Sequence, residues 1–465
     1  MNGSRMTRRI AAPLALALLA VITAVPSAPA DERDERLRAL ERMVQELTER
    51  FHELQRKGAG DERMEELARR IDVVAEELDR LRGREVEALA PGEDDAALRR
   101  KGLAPSAGRV YRIERGVSIG GYGEMLYENF DARTDAGAPS SRTDRFDLKR
   151  LIAYLGYKFN DRVLFNSEIE YEHAVAGDGE PGEVAIEQAF VDFLVDPRVN
   201  IRAGMILVPV GFINEIHEPT TFPSTDRPQV ERNVIPTTWR ELGAGVVGTS
   251  GRVSWRAYLS TSLDAAGFSS SGGIRGGRQS GAKARAEDFA LSGRVDVDLA
   301  PGLIVGASVF AGRTGQGRTS PGGAAIGGDM TLRELHAEWT YHGLRARGLL
   351  VTIDLDDAEL ISDLVGEPVG SQMSGWYLEA GWDVLSNRGG EQELIPFMRY
   401  ESFDTLDELP AAFAGMGLDG HRTVTTLGVV YKPIPQVAIK TDYSNFDDAA
   451  GTAVDQWNVA LGFVF

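Results

Sequence analysis

From Val117 to the last residue the chain alternates apolar and polar side chains in short runs punctuated by turn residues, the two-residue period of strands with one apolar face. Sixteen runs can be marked, at 117–128, 145–159, 163–173, 184–195, 199–208, 242–248, 253–263, 289–299, 303–313, 331–341, 344–353, 373–385, 394–403, 422–432, 437–446 and 455–465. Tight turns such as Asn160-Asp161, Asp196-Pro197, Pro301-Gly302, His342-Gly343 and Pro433 to Pro435 alternate with long polar or Gly-rich connections. An even strand number with short turns at one end and long loops at the other is the pattern of an outer-membrane barrel. A soluble sandwich has no reason to sort its connections in this way.

The faces agree with that expectation. In 163–173, Val163, Phe165, Ile169 and Tyr171 oppose Asn166, Glu168, Glu170 and Glu172. Carboxylates cannot face lipid, so their side is predicted to line water. Arg150 and Glu187 fit neither face of their strands. The final strand, Trp457, Val459, Leu461, Phe463 and Phe465, is apolar at every second position and ends on a phenylalanine, similar to the terminal signal that barrel-assembly machinery reads.

Upstream the period changes. Leu37, Leu40, Val44, Leu47, Phe51 and Leu54, then Met64, Leu67, Ile71, Val74, Leu78 and Leu81, repeat at three and four, the a/d seam of a coiled coil. Gly58-Ala59-Gly60 interrupts the register, so residues 31–82 form either a self-associating stem, which would suit a trimer, or a helix folded back on itself or laid on another surface. Residues 83–109 lack a period and read as a linker. Arg5, Arg8 and Arg9, the apolar run Ile10 to Val25 and Ala28-Pro29-Ala30 predict a signal peptide over 1–30, a reading preferred to a spanning anchor because the run is short and contains Pro13. The expected organisation is therefore a signal peptide at 1–30, a periplasmic α-helical coiled coil at 31–82, a linker at 83–109 and an all-β transmembrane antiparallel barrel of about 16 strands at 110–465, in the bacterial outer membrane.

Composition narrows the chemistry. The 465 residues include no cysteine, which removes disulfides and thiolate metal sites, and the formal charge of -19 disfavours a nucleic-acid partner. The histidines His52, His173, His217, His336, His342 and His421 show no metal spacing, and no Gly-x-Ser-x-Gly, Walker or His-Glu-x-x-His motif occurs, so neither an enzyme, a cofactor nor a metal is expected.

A pore works instead by placing fixed charge in a narrow water path. The connection from Pro209 to Trp239 is too long and too apolar for an idle surface tip and is the expected constriction. Phe212, Ile213, Phe222 and Trp239 should pack it inside the barrel. Its candidate constriction residues are Arg227, Arg232, Arg240, Glu215, Asp226 and Glu231; the arginines either face the pore or pair with Asp226, Glu231 and Glu241 to hold the loop. Glu168, Glu170, Glu172, Arg202, Arg256, Arg294, Arg345, Arg347, Arg399 and Lys440 are the expected lumen-lining charges. Expected partners are outer-membrane lipid, small hydrophilic solutes or ions, and further copies in a homotrimer.

Several segments, Gly116-Val117-Ser118-Ile119-Gly120-Gly121-Tyr122-Gly123-Glu124, Arg145-Phe146-Asp147-Leu148-Lys149-Arg150, Ala203-Gly204-Met205 leading to Pro209-Val210-Gly211-Phe212, and Arg240-Glu241-Leu242-Gly243, resemble the phosphate-selective porin O and P family over roughly 110–465. The resemblance implies a sixteen-stranded trimeric porin, some members of which take phosphate through an arginine ladder and a lysine cluster. Here the barrel region holds five lysines, none in the third loop, and 49 acidic against 31 basic residues. The residues leave three functions open: a passive channel for small solutes or ions, an anion-specific channel, and an envelope anchor or adhesin held by the barrel.

Overall fold

The computed structural model describes residues 93–196 and 198–465, so the expected signal peptide and coiled coil lie outside the described residues. Sixteen antiparallel strands form one closed barrel in which each strand pairs with its sequence neighbours. They are β1 (Gly116–Phe130), β2 (Arg145–Asn160), β3 (Val163–Glu172), β4 (Val184–Asp196), β5 (Val199–Leu207), β6 (Arg240–Ser250), β7 (Val253–Thr261), β8 (Phe289–Ala300), β9 (Leu303–Arg313), β10 (Asp329–Tyr341), β11 (Leu344–Leu355), β12 (Gln372–Trp382), β13 (Glu393–Glu408), β14 (His421–Ile434), β15 (Val437–Asp448) and β16 (Gln456–Val464). β1 pairs with β16 from Tyr122↔Val464 to Phe130↔Gln456, so no strand edge is left open. Closure of this kind satisfies every ladder internally, which a strand in hydrocarbon requires.

Alternation fixes which face looks out. Leu151, Ile201, Leu259, Val295, Leu335, Leu350, Leu378, Met398 and Leu427 are all exposed on the outer wall. Tyr157, Phe159, Trp339, Tyr341 and Trp382 cluster outside near the short-turn end, the place of an aromatic girdle. Among the described residues no helix is long and apolar enough to cross a membrane.

The two residues that defied alternation sit at β-bulges. The β1–β2 register shifts between Glu124 and Met125, and the β3–β4 register between Glu168 and Ile169. An extra residue at each point turns the next side chain over. Arg150 and Glu187 consequently both point inward and are buried. Several strand ends also differ from expectation: β6 spans Arg240–Ser250, β13 runs on to Glu408, β14 continues through Pro433 to Ile434, and β12 stops at Trp382.

Part of the stretch read as a linker is ordered structure. Within it lie a helix, α1 (Glu93–Arg99), and a 3-10 turn at Ala107–Tyr111. This strap packs inside the short-turn end of the barrel: Leu98 and Leu103 join Phe190, Ile206, Val247 and Tyr258 in one apolar cluster. Val110 fits over Gly156, where an added Cβ would meet it at 2.6 Å. Arg100 donates to the Gly251 carbonyl at 2.9 Å, Lys158 to the Ile113 carbonyl at 2.7 Å, and Asn166 to the Ala107 carbonyl at 2.8 Å.

Candidate functional site

The connection between β5 and β6 folds into the barrel and crosses its lumen. Its apolar residues Val210, Phe212, Ile213, Phe222, Val234, Ile235 and Trp239 are buried against Phe310, Leu332, Leu349, Val351 and Tyr377 of the wall. Phe212, Ile213, Phe222 and Trp239 therefore pack as expected, and the Trp239 and Phe310 rings lie 4.5 Å apart. Burial of each large side chain stabilises the inserted loop by roughly 1.5–3 kcal/mol, more than surface ion pairs supply. The next long connection, 262–288, and the helix α3 (Ala358–Val365) add Leu263, Phe268, Ile274 and Ile361 to the same cluster. A short helix, α2 (Val230–Asn233), lies within the inserted loop.

The polar edge of the loop is tied to the wall all round. Arg150 donates to the His217 carbonyl at 3.1 Å, and Arg347 to the Thr221 carbonyl at 3.2 Å. Thr225 donates to Asp442, from its backbone at 2.6 Å and its hydroxyl at 2.9 Å. Lys440 donates to the Ser224 carbonyl at 2.8 Å and Lys432 to that of Thr220 at 2.9 Å.

Of the residues expected at the constriction, Glu215 bridges Arg256 at 3.1 Å and Arg294 at 3.9 Å. Glu231 accepts from the Ile213 backbone at 2.8 Å and from the Tyr377 hydroxyl at 2.7 Å, and among the described residues no arginine pairs with it. Asp226 takes both Lys149 at 2.8 Å and Arg232 at 3.0 Å. Burial alone would raise its pKa, yet these two cations hold the carboxyl well below the usual carboxylate range. Arg227 donates to Thr238 Oγ1 at 3.0 Å. Arg240 is not in the loop at all; it is the first residue of β6.

The expected lumen-lining residues point inward, but most do not line open water. Arg202 forms a two-pronged pair with Asp192 at 2.8 and 3.0 Å and lies over the Phe190 ring. Arg256 and Arg294 share Asp296, at 2.9 and 2.8 Å. Arg399 bridges Glu379 at 2.9 Å and Glu401 at 2.8 Å, while Arg347 reaches Glu338 at 3.3 Å. Glu168, Glu170 and Lys440 are buried; Glu172 is half-buried; Arg345 is part-exposed and pairs with Glu393. The difference from expectation has a simple cause: the loop and strap occupy the space that alternation alone leaves to water.

Two features were absent from the sequence reading. Arg275 and Arg278, on the 262–288 connection, sit beside Arg227, Arg232 and Arg240. Burial, and then the neighbouring Arg275, Arg240 and Arg227, pull the Arg278 guanidinium down to about 10, and burial followed by Arg232 lowers that of Arg275. Their only sequence signal is a pair of arginines three apart in a Gly-rich loop. The second feature is a cleft between Ser224–Gln229 of the inserted loop and the β13–β16 wall, lined by Asp226, Arg227, Thr426, Ser444 and Asn458. Polar residues line both of its sides, joined on the wall by Val424 and Phe446, whereas the opposite edge of the loop is sealed by apolar packing.

No family model matches the chain. An uncharacterized protein of Aquifex aeolicus (strain VF5) is 38% identical over 376 residues, 78% of this chain and 83% of that protein. The chain belongs to that protein's family. Among solved structures, OmpF of Salmonella typhi in complex with daunomycin shares 11% identity and a TM-score of 0.52, with 76% of this chain and 98% of that one covered. That likeness shows the porin-like barrel fold. An anion-selective porin from Comamonas acidovorans has 16% identity and a TM-score of 0.46, covering 76% of this chain and all of that one.

Proposed function

We propose that this protein is an outer-membrane porin of narrow bore, through which small hydrophilic solutes or ions diffuse passively. The carrying observation is the cleft between the inserted loop and β13–β16, lined mainly by polar residues on both walls and set in a barrel whose exterior is apolar. In this reading the short turns face the periplasm and the long loops face outside, and β16 with the adjoining Phe465 is the segment recognised during barrel assembly. The protomer works as a homotrimer. Anions, phosphate among them, are the candidate cargo, because Arg227, Arg232, Arg240, Arg275 and Arg278 gather beside the cleft and their mutual repulsion is relieved by an anion.

Swelling of liposomes carrying the refolded protein tests the solute range. Entry of glycerol and small sugars but not of larger oligosaccharides is expected; exclusion of every solute by verified barrels contradicts the proposal.

A second reading, a barrel that serves as envelope anchor or adhesin, is favoured by a different observation. The strap and the inserted loop both pack inside the barrel. The two readings separate on conductance, which an anchor lacks.

A further inference from the structure

One histidine of the inserted loop is held in a way that hydrogen bonding alone does not explain. His217 is 1% exposed, and Glu168 and Glu187, from the adjacent strands β3 and β4, are both 0% exposed. Its Nδ1 lies 3.0 Å from the Asn214 carbonyl, which only an N–H can satisfy. Its Nε2 then faces two carboxylates at once, Glu187 Oε2 at 3.1 Å and Glu168 Oε1 at 3.3 Å. A single Nε2–H can point at one of them.

His336 shows the contrast. Its Nδ1 faces Glu334 at 2.8 Å and its Nε2 faces Asp296 at 2.7 Å, one nitrogen per carboxylate, with the Arg294 guanidinium 3.0 Å from Nε2 as a further partner of the same site. At His217 both carboxylates compete for one nitrogen. In addition, among the described residues no donor reaches the buried Glu187 Oε1, and the Glu170 carboxyl lies beside the same side chain. The Arg150 guanidinium, which also donates to the His217 carbonyl, is already matched by Glu124 at 3.0 Å.

We infer that Glu168, Glu187 and His217 form a site for a divalent transition-metal ion, Zn2+ in the first instance, which staples the inserted loop to β3 and β4. One ligand atom from each of the three lies within 4.8 Å of the others. Tetrahedral Zn2+ with ligand distances near 2.0–2.2 Å places its donors about 3.3–3.5 Å apart, close to the 3.1 and 3.3 Å that separate His217 Nε2 from the two carboxylates. One imidazole with two carboxylates suits Zn2+ or Mn2+ and leaves a position for water. The supports of a metal site are also present: the Asn214 carbonyl fixes the ring tautomer, and Tyr154 at 3.0 Å and Gln188 at 2.8 Å donate to Glu168. The bond would join a loop to a wall that are 30 to 49 positions apart in sequence.

The test uses the full chain refolded in detergent, loaded with Zn2+ or Mn2+, dialysed and assayed for bound metal. Wild type should retain about one Zn2+ per chain, and H217A and E187Q should each lower affinity by about 10-fold or more. X-ray absorption at the zinc edge should show one imidazole among oxygen donors, a readout that does not depend on the variants folding. Wild type that retains no metal overturns the inference, as does retention unchanged in both folded variants or an absorption spectrum without imidazole. None of these outcomes bears on solute passage, so the site and the porin reading stand or fall separately.

Discussion

Asp192 and Arg202, with side chains 4% and 5% exposed, depend on each other because neither can reach bulk water. Removing one partner leaves an uncompensated buried charge, so R202A should destabilise the barrel by about 3–5 kcal/mol. Replacing both with apolar residues of similar volume should cost far less. Urea titration of the refolded single and double variants measures the difference. Asp226 makes the corresponding prediction for pH. Its folded-state pKa is depressed, so its contribution is present above the ordinary aspartate range near 4 and disappears as pH falls through the folded value. D226N should therefore loosen the inserted loop at neutral pH, read as faster proteolysis within 209–239, and the gap from wild type should close in strong acid. Individual charges of this kind were legible as inward-facing from alternation. Their pairing was not, because Arg256, Asp296 and Glu215 meet only once three separate segments are folded together.

At the scale of elements, strands were the most readable part of the chain, since a face in lipid and a face in a polar interior force a strict two-residue period. The exceptions, Arg150 and Glu187, were visible as misfits but not as bulges, because a bulge is a property of the partner strand as well. The strap escaped notice for another reason: α1 is seven residues long, too short to show a helical period, and its apolar partners Phe190 and Tyr258 lie far away in sequence. Its seat on Gly156 gives a direct test. G156L places bulk where Val110 sits, on the inner face, without altering the lipid-facing surface. The variant should still migrate as a folded, heat-modifiable barrel while its segment 93–115 becomes accessible to protease and its conductance rises severalfold. A protected strap in folded G156L would show that the strap is seated by other contacts.

For the whole molecule, an acidic chain surrounds a local concentration of arginine, and local field rather than net charge governs what enters a narrow path. R278A should therefore reduce any preference for anions while leaving barrel stability within about 1 kcal/mol of wild type, as expected for one member of a repelling cluster. The claim on which the account rests is that a barrel with so full a lumen still conducts along the β13–β16 cleft. Single-channel recording of the refolded full chain in a planar bilayer under a salt gradient addresses it most directly. Discrete unitary steps, smaller than those of G156L and with a reversal potential on the anion side, are the predicted result; a bilayer that stays silent with demonstrably folded wild type and G156L inserted would contradict it.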